Sequence, residues 1–219
     1  MSQYQLVVFD WDGTLMDSTA DITRAIQAAS ADLGLPVPSD EQASWVIGLS
    51  LKQALKHAVP DLRESDVKKF IERYQHHFFR KDPEMTLFDG VIPMLEALAN
   101  QNVLLAVATG KSRRGLDRAL ARGDLGHWFA TTRCADETAG KPHPAMLFEI
   151  LNELGLKAES AVMVGDTSHD LTMAANASMA GLGVTYGAHP ESELNQISNV
   201  GLVTSLPELQ TWLLERSGS

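Results

Sequence analysis

Four short polar clusters stand out in the sequence because they combine carboxylates, lysines, hydroxyls and glycines. They are Asp10-Trp-Asp-Gly-Thr14, Thr109-Gly-Lys111, Gly140-Lys-Pro-His-Pro144 and Gly165-Asp-Thr-Ser-His-Asp170. Carboxylates such as Asp10, Asp12 and Asp166 offer hard oxygen ligands, which suit Mg²⁺ better than Zn²⁺. If these carboxylates lie close together, they repel one another and raise a pKa unless a cation lies among them. The clusters therefore indicate a site for a divalent cation.

The residue types also match the needs of phosphoryl transfer, which requires an in-line nucleophile and positive charge on the transferred oxygens. A carboxylate such as that of Asp10 can be the nucleophile, giving an acyl phosphate that water then cleaves. Lys141 can neutralise the phosphoryl charge, and Thr109 can donate a hydrogen bond to it. Gly110 lets backbone N–H groups approach a phosphate closely. Lys111 follows Thr109 closely and competes with Lys141 for the role of phosphate-binding lysine.

The clusters fall at or just beyond the carboxyl ends of predicted strands. Short apolar runs, typical of a parallel sheet buried on both faces, predict strands over residues 5–9, 103–109, 161–165 and 181–185. Helices are predicted between them over residues 91–100, 112–122, 144–154 and 171–177. This alternation predicts an α/β fold with a doubly wound parallel sheet. Because parallel strands bring their carboxyl ends to one edge, we expect the clusters to meet there.

The stretch from residue 17 to residue 85 interrupts this alternation and is predicted to be helical. Ser18 and Asp21 resemble a capping box that opens a first helix. Further helices are predicted from residue 40, over 51–58 and over 65–80. The chain is thus predicted to leave the sheet after its first strand, build a helical insertion and return. In open α/β sheets, such an insertion would lie over the strand ends where ligands bind.

The composition is that of an ordinary globular protein and argues against several partners. The chain has 219 residues, of which 44% are apolar, and its formal net charge is −10. Nucleic acids and anionic membranes demand a basic face, so neither is expected as a partner. No apolar run could cross a bilayer and no secretory signal is evident, so a cytoplasmic location is expected. The single cysteine, Cys134, is interpreted as a small buried residue rather than a nucleophile.

Taken in order, the four clusters resemble the four motifs of the haloacid dehalogenase superfamily. The helical insertion resembles the C1-type cap of its subfamily I, and the whole chain looks like the phosphoglycolate phosphatase group. The resemblance covers nearly the whole chain. It implies a Rossmann-like core over residues 1–16 and 86–219, with a cap domain over residues 17–85. It also implies a Mg²⁺-dependent phosphatase acting on a small phosphorylated metabolite, either as a monomer or as a homodimer.

The first motif also separates branches of this superfamily. Asp10 matches the nucleophile, which is also a Mg²⁺ ligand. Asp12 matches the general acid/base, whose backbone carbonyl also reaches the metal. Haloacid dehalogenases look different, with a tyrosine in place of Asp12, and phosphonoacetaldehyde hydrolases have an alanine there. An aspartate at this position favours hydrolysis of a phosphate ester, because a leaving alkoxide must be protonated.

The resemblance also assigns roles to residues of the other three motifs. Thr109, with Gly110, matches the phosphate-binding position of the second motif. Lys141 matches the lysine of the third motif. Asp166 matches a metal-binding carboxylate of the fourth motif. Asp170 matches the second acidic position of that motif, which is either a metal ligand or a neighbour of the ligands.

Three alternative functions remain open at this point. A phosphomutase resembling β-phosphoglucomutase would use the same residues but return the phosphoryl group to a sugar. A phosphonatase would need a Schiff-base lysine in the cap, for which Lys52 and Lys56 are candidates. A non-catalytic binding protein is disfavoured, because the pair Asp10 and Asp12 is intact. The loop over residues 46–50, continuing into residues 51 and 52, resembles the cap segment that faces the active site in phosphoglycolate phosphatase-like proteins.

Overall fold

The order of strands and helices follows the predicted alternation, in a computed structural model that describes residues 4–81 and 86–218. In chain order, the described elements are β1 (Leu6–Phe9), α1 (Thr19–Asp32), α2 (Asp40–Trp45), α3 (Leu51–Ala58), α4 (Val67–Lys81), α5 (Val91–Asn100), β2 (Leu104–Thr109), α6 (Arg113–Gly123), β3 (Thr131–Cys134), α7 (Ala145–Leu154), β4 (Ala161–Gly165), α8 (Ser168–Asn176), β5 (Ala180–Val184), α9 (Glu191–Leu194), β6 (Gly201–Val203) and α10 (Leu206–Arg216).

The sheet is parallel throughout and has the strand order β3-β2-β1-β4-β5-β6. Strand β1 lies between β2 and β4, so that Phe9 is paired with Val107 on one side and Val164 on the other. The direction of winding reverses between β1 and β4, which makes the crevice at their carboxyl ends the expected place for a ligand. The predicted α/β fold with a doubly wound parallel sheet is confirmed.

Burial on both faces explains the apolar character of β1. Its four side chains are fully buried, and they alternate between the two hydrophobic clusters that flank the sheet. Val7 and Phe9 belong to the larger cluster, and Leu6 and Val8 belong to the smaller one. This is the two-residue period of a strand. Burying each such side chain contributes about 1.5–3 kcal/mol to folding, so the sheet gives a rigid base for the residues that follow β1.

Four helices lie between β1 and the rest of the sheet, as the sequence predicts, and we refer to them (α1 to α4) as the helical insertion. Helix α1 packs against α4. Their contact includes the Asp32 carboxylate, which lies 2.6 Å from a guanidinium nitrogen of Arg73 and 2.8 Å from Nε2 of His77. The division into two domains stays a prediction, and its predicted boundary at residue 85 lies outside the described residues.

One detail of the predicted insertion is wrong, because Ser18 does not cap α1 through its side chain. The Ser18 hydroxyl instead donates a hydrogen bond of 2.6 Å to Oδ1 of Asp12. The backbone of Ser18 (φ −129°, ψ −6°) is not in the extended conformation typical of a capping serine, and its hydroxyl donates to a buried carboxylate, so the serine serves the polar site rather than the helix. Within the described part of the chain, no helix has the length and apolar character required to cross a membrane.

Candidate active site

Three buried carboxylates meet at the carboxyl end of the central strands. Asp10 directly follows β1, Asp166 directly follows β4, and Asp170 lies in the first turn of α8. One oxygen of each carboxylate lies within 4.8 Å of the others. The meeting point is the switch point of the sheet, between β1 and β4. The sheet therefore brings together residues that are far apart in the sequence, as predicted.

Lys141 lies between two of these carboxylates. Its Nζ atom is 2.6 Å from Oδ1 of Asp10 and 2.6 Å from Oδ1 of Asp170, and all three side chains are buried. Within this cluster, which we call the carboxylate cluster (Asp10, Asp166, Asp170 and Lys141), three negative charges face one positive charge. The ionised cluster thus has an excess of two negative charges, which a divalent cation would balance.

Asp166 is held in place by groups from two other loops. One carboxylate oxygen accepts a hydrogen bond of 2.9 Å from the Thr14 hydroxyl, and the other accepts one of 2.7 Å from the backbone N–H of Ala188. Gly13 has φ of +81°, and a Cβ atom there or at Gly187 would collide with the Asp166 carboxylate. The absence of side chains at these two glycines therefore makes room for Asp166.

Asp170 has two roles, one for each of its oxygens. Its Oδ2 atom accepts hydrogen bonds from the backbone N–H (3.1 Å) and the hydroxyl (2.6 Å) of Thr167, which caps α8. Its Oδ1 atom is directed to Lys141 and makes no hydrogen bond of good geometry. The helix cap fixes the orientation of the Asp170 carboxylate and leaves one oxygen available to the carboxylate cluster.

Burial shifts the proton affinities of the carboxylate cluster. Desolvation raises the pKa of Asp10 to about 7, although Lys141 acts in the opposite direction. Desolvation, reinforced by Asp10 and Asp170, also raises the pKa of Asp166 well above its usual range. Burial alone would lower the pKa of Lys141, but the two adjacent carboxylates outweigh it and raise that pKa above its usual range. Lys141 therefore stays protonated, and a further cation among the carboxylates would favour their ionised form.

Asp12 lies beside the carboxylate cluster but has different partners. Its Oδ1 atom accepts hydrogen bonds from Nζ of Lys111 at 2.9 Å and from the Ser18 hydroxyl at 2.6 Å. The two competing lysines thus have separate positions, with Lys141 on Asp10 and Lys111 on Asp12. Thr109 ends β2, is buried, and accepts a hydrogen bond from the backbone N–H of Lys111. The assignment of Lys141 as the phosphate-binding lysine stays a prediction.

The loop between α2 and α3 lies directly over these residues. A Cβ atom on Gly48 would come within 3.2 Å of Oγ1 of Thr167 and 4.0 Å of Oδ2 of Asp10. A Cβ atom on Gly110 would collide with the backbone carbonyls of Gly48 and Leu49. The sequence predicts that Gly110 lets backbone N–H groups approach a phosphate. The structure adds a second reason for a glycine here, because a side chain would prevent the close approach of this loop.

Trp45, at the end of α2, connects the helical insertion to α8 and to the region of α9 through three hydrogen bonds. Its carbonyl oxygen lies 3.0 Å from Nε2 of His169 and 2.9 Å from Nε2 of His189, and its indole N–H donates to Glu193 at 2.9 Å. A carbonyl only accepts, so both Nε2 atoms carry the hydrogen. Burial lowers the pKa of His169, which favours the neutral ring.

Several other candidates from the sequence lie apart from the site. Lys52 and Lys56 are exposed on α3, which does not favour a Schiff-base lysine and hence the phosphonatase alternative. Cys134 is buried at the end of β3, and burial raises the pKa of its thiol to about 12. Because the thiolate is the reactive form, such a thiol is inert, as the sequence suggested.

No sequence pattern identifies Ser18, Ala188 or Trp45 as part of this site. Thr14 belongs to the first motif, but only its distance to Asp166 reveals what it does. Ala188 acts through its backbone N–H, which any residue other than proline could supply, so no sequence signal could have identified it. The position of Trp45 depends on how the insertion folds back over the sheet.

Comparison with known proteins agrees with this geometry. A family model described as haloacid dehalogenase-like hydrolase matches residues 7–184. The chain is 35% identical over 210 residues to a protein of Dickeya dadantii named Probable phosphatase IndB, covering 93% of this chain and 91% of that protein. It is 31% identical over 196 residues to a phosphoglycolate phosphatase of Haemophilus influenzae, covering 85% of this chain and 88% of that protein.

A comparison with solved structures also finds phosphatases of similar fold. A predicted phosphatase from Clostridium acetobutylicum superimposes with a TM-score of 0.86 at 26% identity, covering 98% of this chain and all (100%) of that one. The sheet, the insertion and the buried carboxylates define a protein of the α/β class with its site at the carboxyl ends of parallel strands. The chain belongs to the haloacid dehalogenase-like hydrolase family. The predicted family and the predicted enzyme class, a phosphatase of that family, are confirmed.

Proposed function

We propose that this protein is a Mg²⁺-dependent phosphatase that hydrolyses small phosphate monoesters through an aspartyl-phosphate on Asp10. The observation that carries the proposal is the carboxylate cluster, in which a buried nucleophile candidate lies 2.6 Å from a buried ammonium group. A phosphoryl group bound there would meet the Asp10 carboxylate and the Lys141 charge together. Nucleophilic attack and charge neutralisation are the two requirements of phosphoryl transfer.

The donor set fits a hard divalent cation. Both oxygens of Asp10 are buried and make no hydrogen bond of good geometry; Oδ1 has the ion pair with Lys141 at 2.6 Å, whereas Oδ2 has no such partner among the described residues. Buried polar atoms without hydrogen bonds are rare in folded proteins and suggest a missing partner. Asp10, Asp166 and Asp170 would hold the ion, with the backbone carbonyl of Asp12 as the further ligand that the family resemblance implies. When bound, Mg²⁺ would supply positive charge to the carboxylates and to the phosphoryl oxygens.

In the first half of the reaction, an oxygen of Asp10 attacks phosphorus and the bond from phosphorus to the alcohol oxygen breaks. Asp12, in its protonated form, gives its proton to that departing oxygen. In the second half, Asp12 takes a proton from water as the water oxygen attacks phosphorus. The acyl-phosphate bond then breaks, which restores Asp10 and releases inorganic phosphate. Ser18 and Lys111 hold the Asp12 carboxylate in place for both proton transfers.

The names of the relatives support the proposed substrate class. Phosphoglycolate is the substrate named for a relative at 31% identity, and it is the leading candidate from the sequence. The helical insertion covers the site and would exclude bulk water during the reaction. We further propose a cytoplasmic enzyme, either a monomer or a homodimer, that acts on a small phosphorylated metabolite and not on nucleic acid or membranes.

The test is phosphate release from a panel of small phosphate esters, with Mg²⁺ and after its removal by EDTA. We expect turnover with Mg²⁺, a decrease of about 100-fold or more after its removal, and recovery when Mg²⁺ is added back. A zinc-loaded sample is the control, because Zn²⁺ prefers nitrogen and sulfur ligands and should not replace Mg²⁺ efficiently. Full activity in EDTA would contradict the proposal. Isomerisation of a sugar phosphate without phosphate release would indicate a mutase.

A further inference from the structure

A cavity of about 150 Å³ lies between Asp12 and the helical insertion. Asp12, Gly110 and Lys111 line it from the sheet side. On the proposed mechanism, Asp12 must touch the oxygen that leaves with the alcohol. The rest of the alcohol must therefore occupy the space next to Asp12, and this cavity is that space. Its lining should determine which phosphate esters the enzyme accepts.

The walls of the cavity that the insertion supplies are mainly apolar. They include Ile26 of α1, Leu55 of α3 and Phe78 of α4. All three side chains are buried. Tyr74, Gln75 and Ser112 add polar groups that carry no charge at neutral pH. An apolar wall of this kind stabilises a hydrocarbon group and gives no compensation for a buried charge.

Lys111 is the one positively charged residue among the described residues that line the cavity. Its Nζ atom already lies 2.9 Å from Oδ1 of Asp12 and 5.1 Å from the ring centre of Phe78. A carboxylate on the substrate would have to compete with Asp12 for this ammonium group.

We propose that the enzyme prefers phosphate monoesters whose alcohol part is uncharged and apolar, up to about the size of a phenyl ring. A protein cavity of roughly 150 Å³ lined by aliphatic and aromatic side chains is known to hold benzene. The inference rests on the proposed phosphatase reaction and narrows its substrate class. It disfavours phosphoglycolate, in which the alcohol part ends in a carboxylate.

The test compares kcat/KM for n-alkyl phosphates from ethyl to n-pentyl with that for 2-phosphoglycolate. The alkyl esters have leaving groups of similar reactivity, so differences between them report on the cavity. We expect kcat/KM to rise about fourfold for each added methylene group. 2-Phosphoglycolate differs from ethyl phosphate by a carboxylate in place of a methyl group. It should therefore be slower by roughly tenfold or more, because its charge must be desolvated.

Two variants locate the preference in the cavity. Phe78→Ala should lower kcat/KM for n-pentyl phosphate by about tenfold and change the value for ethyl phosphate much less, because the longer chain has more apolar surface to bury against the ring. Leu51→Ala, at a partly exposed lining residue of α3, gives the same comparison if Phe78→Ala fails to fold. Phe148→Ala is the matched control, because Phe148 is exposed on α7 and does not line the cavity.

The outcomes separate this inference from the proposed function. A rising alkyl series that becomes clearly shallower in Phe78→Ala supports the inference. A flat series, or faster hydrolysis of 2-phosphoglycolate than of ethyl phosphate, overturns it and leaves the phosphatase proposal intact. If neither these esters nor acetyl phosphate release phosphate in the presence of Mg²⁺, the proposed function fails and the inference fails with it.

Discussion

Replacement of Asp10 by asparagine is expected to lower kcat for phosphate release by roughly 10⁴-fold or more, in line with the loss of a nucleophile in other enzymes. Asparagine has nearly the same shape as aspartate but cannot form the acyl phosphate. The loss should be the same for every ester tested, because the nucleophile does not contact the alcohol part. Steady-state phosphate release with saturating Mg²⁺ measures this effect.

The control for this prediction is Asp61→Asn, since Asp61 is an exposed aspartate of the helical insertion. Its activity and its melting temperature should match those of the wild type. Circular dichroism of Asp10→Asn should show an intact fold, because the substitution removes one charge from a cluster that has excess negative charge. Turnover above about one per cent of the wild-type rate in Asp10→Asn would exclude Asp10 as the nucleophile.

Among the substitutions proposed for this protein, replacement of Lys141 by methionine is expected to lower the free energy of unfolding most. Lys141 is fully buried between Asp10 and Asp170, and methionine keeps the volume but removes the charge. Breaking a buried ion pair from one side typically costs about 3–5 kcal/mol, because the remaining charge loses its partner. We expect the free energy of unfolding, measured by urea denaturation without Mg²⁺, to fall by roughly this amount.

The matched control is Lys157→Met, at an exposed lysine before β4, which should change the free energy of unfolding by less than about 0.5 kcal/mol. Added Mg²⁺ should restore part of the stability of Lys141→Met, because a ligand that binds only the folded state stabilises it. Activity should not return, since the lysine charge that faces the phosphoryl group stays absent. A loss of stability below about 1 kcal/mol would show that the carboxylates do not depend on Lys141.

The sequence predicted the buried strands well because their apolar runs have a single physical cause. Strands β1 and β4 are buried on both faces, so both are continuously apolar. Strand β3 was missed, since its residues Thr-Thr-Arg-Cys include Arg133, which forms ion pairs with Glu149 and Glu153 at the edge of the sheet. Strand β6 was missed as well, because its three residues are defined by pairing with β5 rather than by a pattern of their own.

The candidate site could be predicted to the level of its charged groups and no further. Asp10 and Asp166 follow apolar strands, and the parallel sheet requires their meeting. The donation from Ala188 to Asp166 could not be predicted, because it depends on how the loop after β5 folds over the strand ends. The same holds for Ser18, whose local pattern favoured a helix cap although its hydroxyl donates to Asp12.

The residues that line the cavity could likewise be predicted from the sequence only in part. Ile26, Leu55 and Phe78 are at helical spacings that predict buried faces of α1, α3 and α4. Nothing in those patterns distinguishes a side chain that packs against another helix from one that faces an internal space. Only the folded arrangement reveals that these residues line a cavity beside Asp12.

Capture of the covalent intermediate tests the central claim most directly. In Asp12→Asn, acetyl phosphate should still phosphorylate the enzyme, because its leaving group needs no proton, whereas water should no longer be activated efficiently. Acid quenching followed by peptide mass spectrometry should find a phosphoryl group on Asp10 that hydroxylamine removes. A phosphoryl group on another residue, or a phosphorylated form that is absent while phosphate is released, would contradict the account.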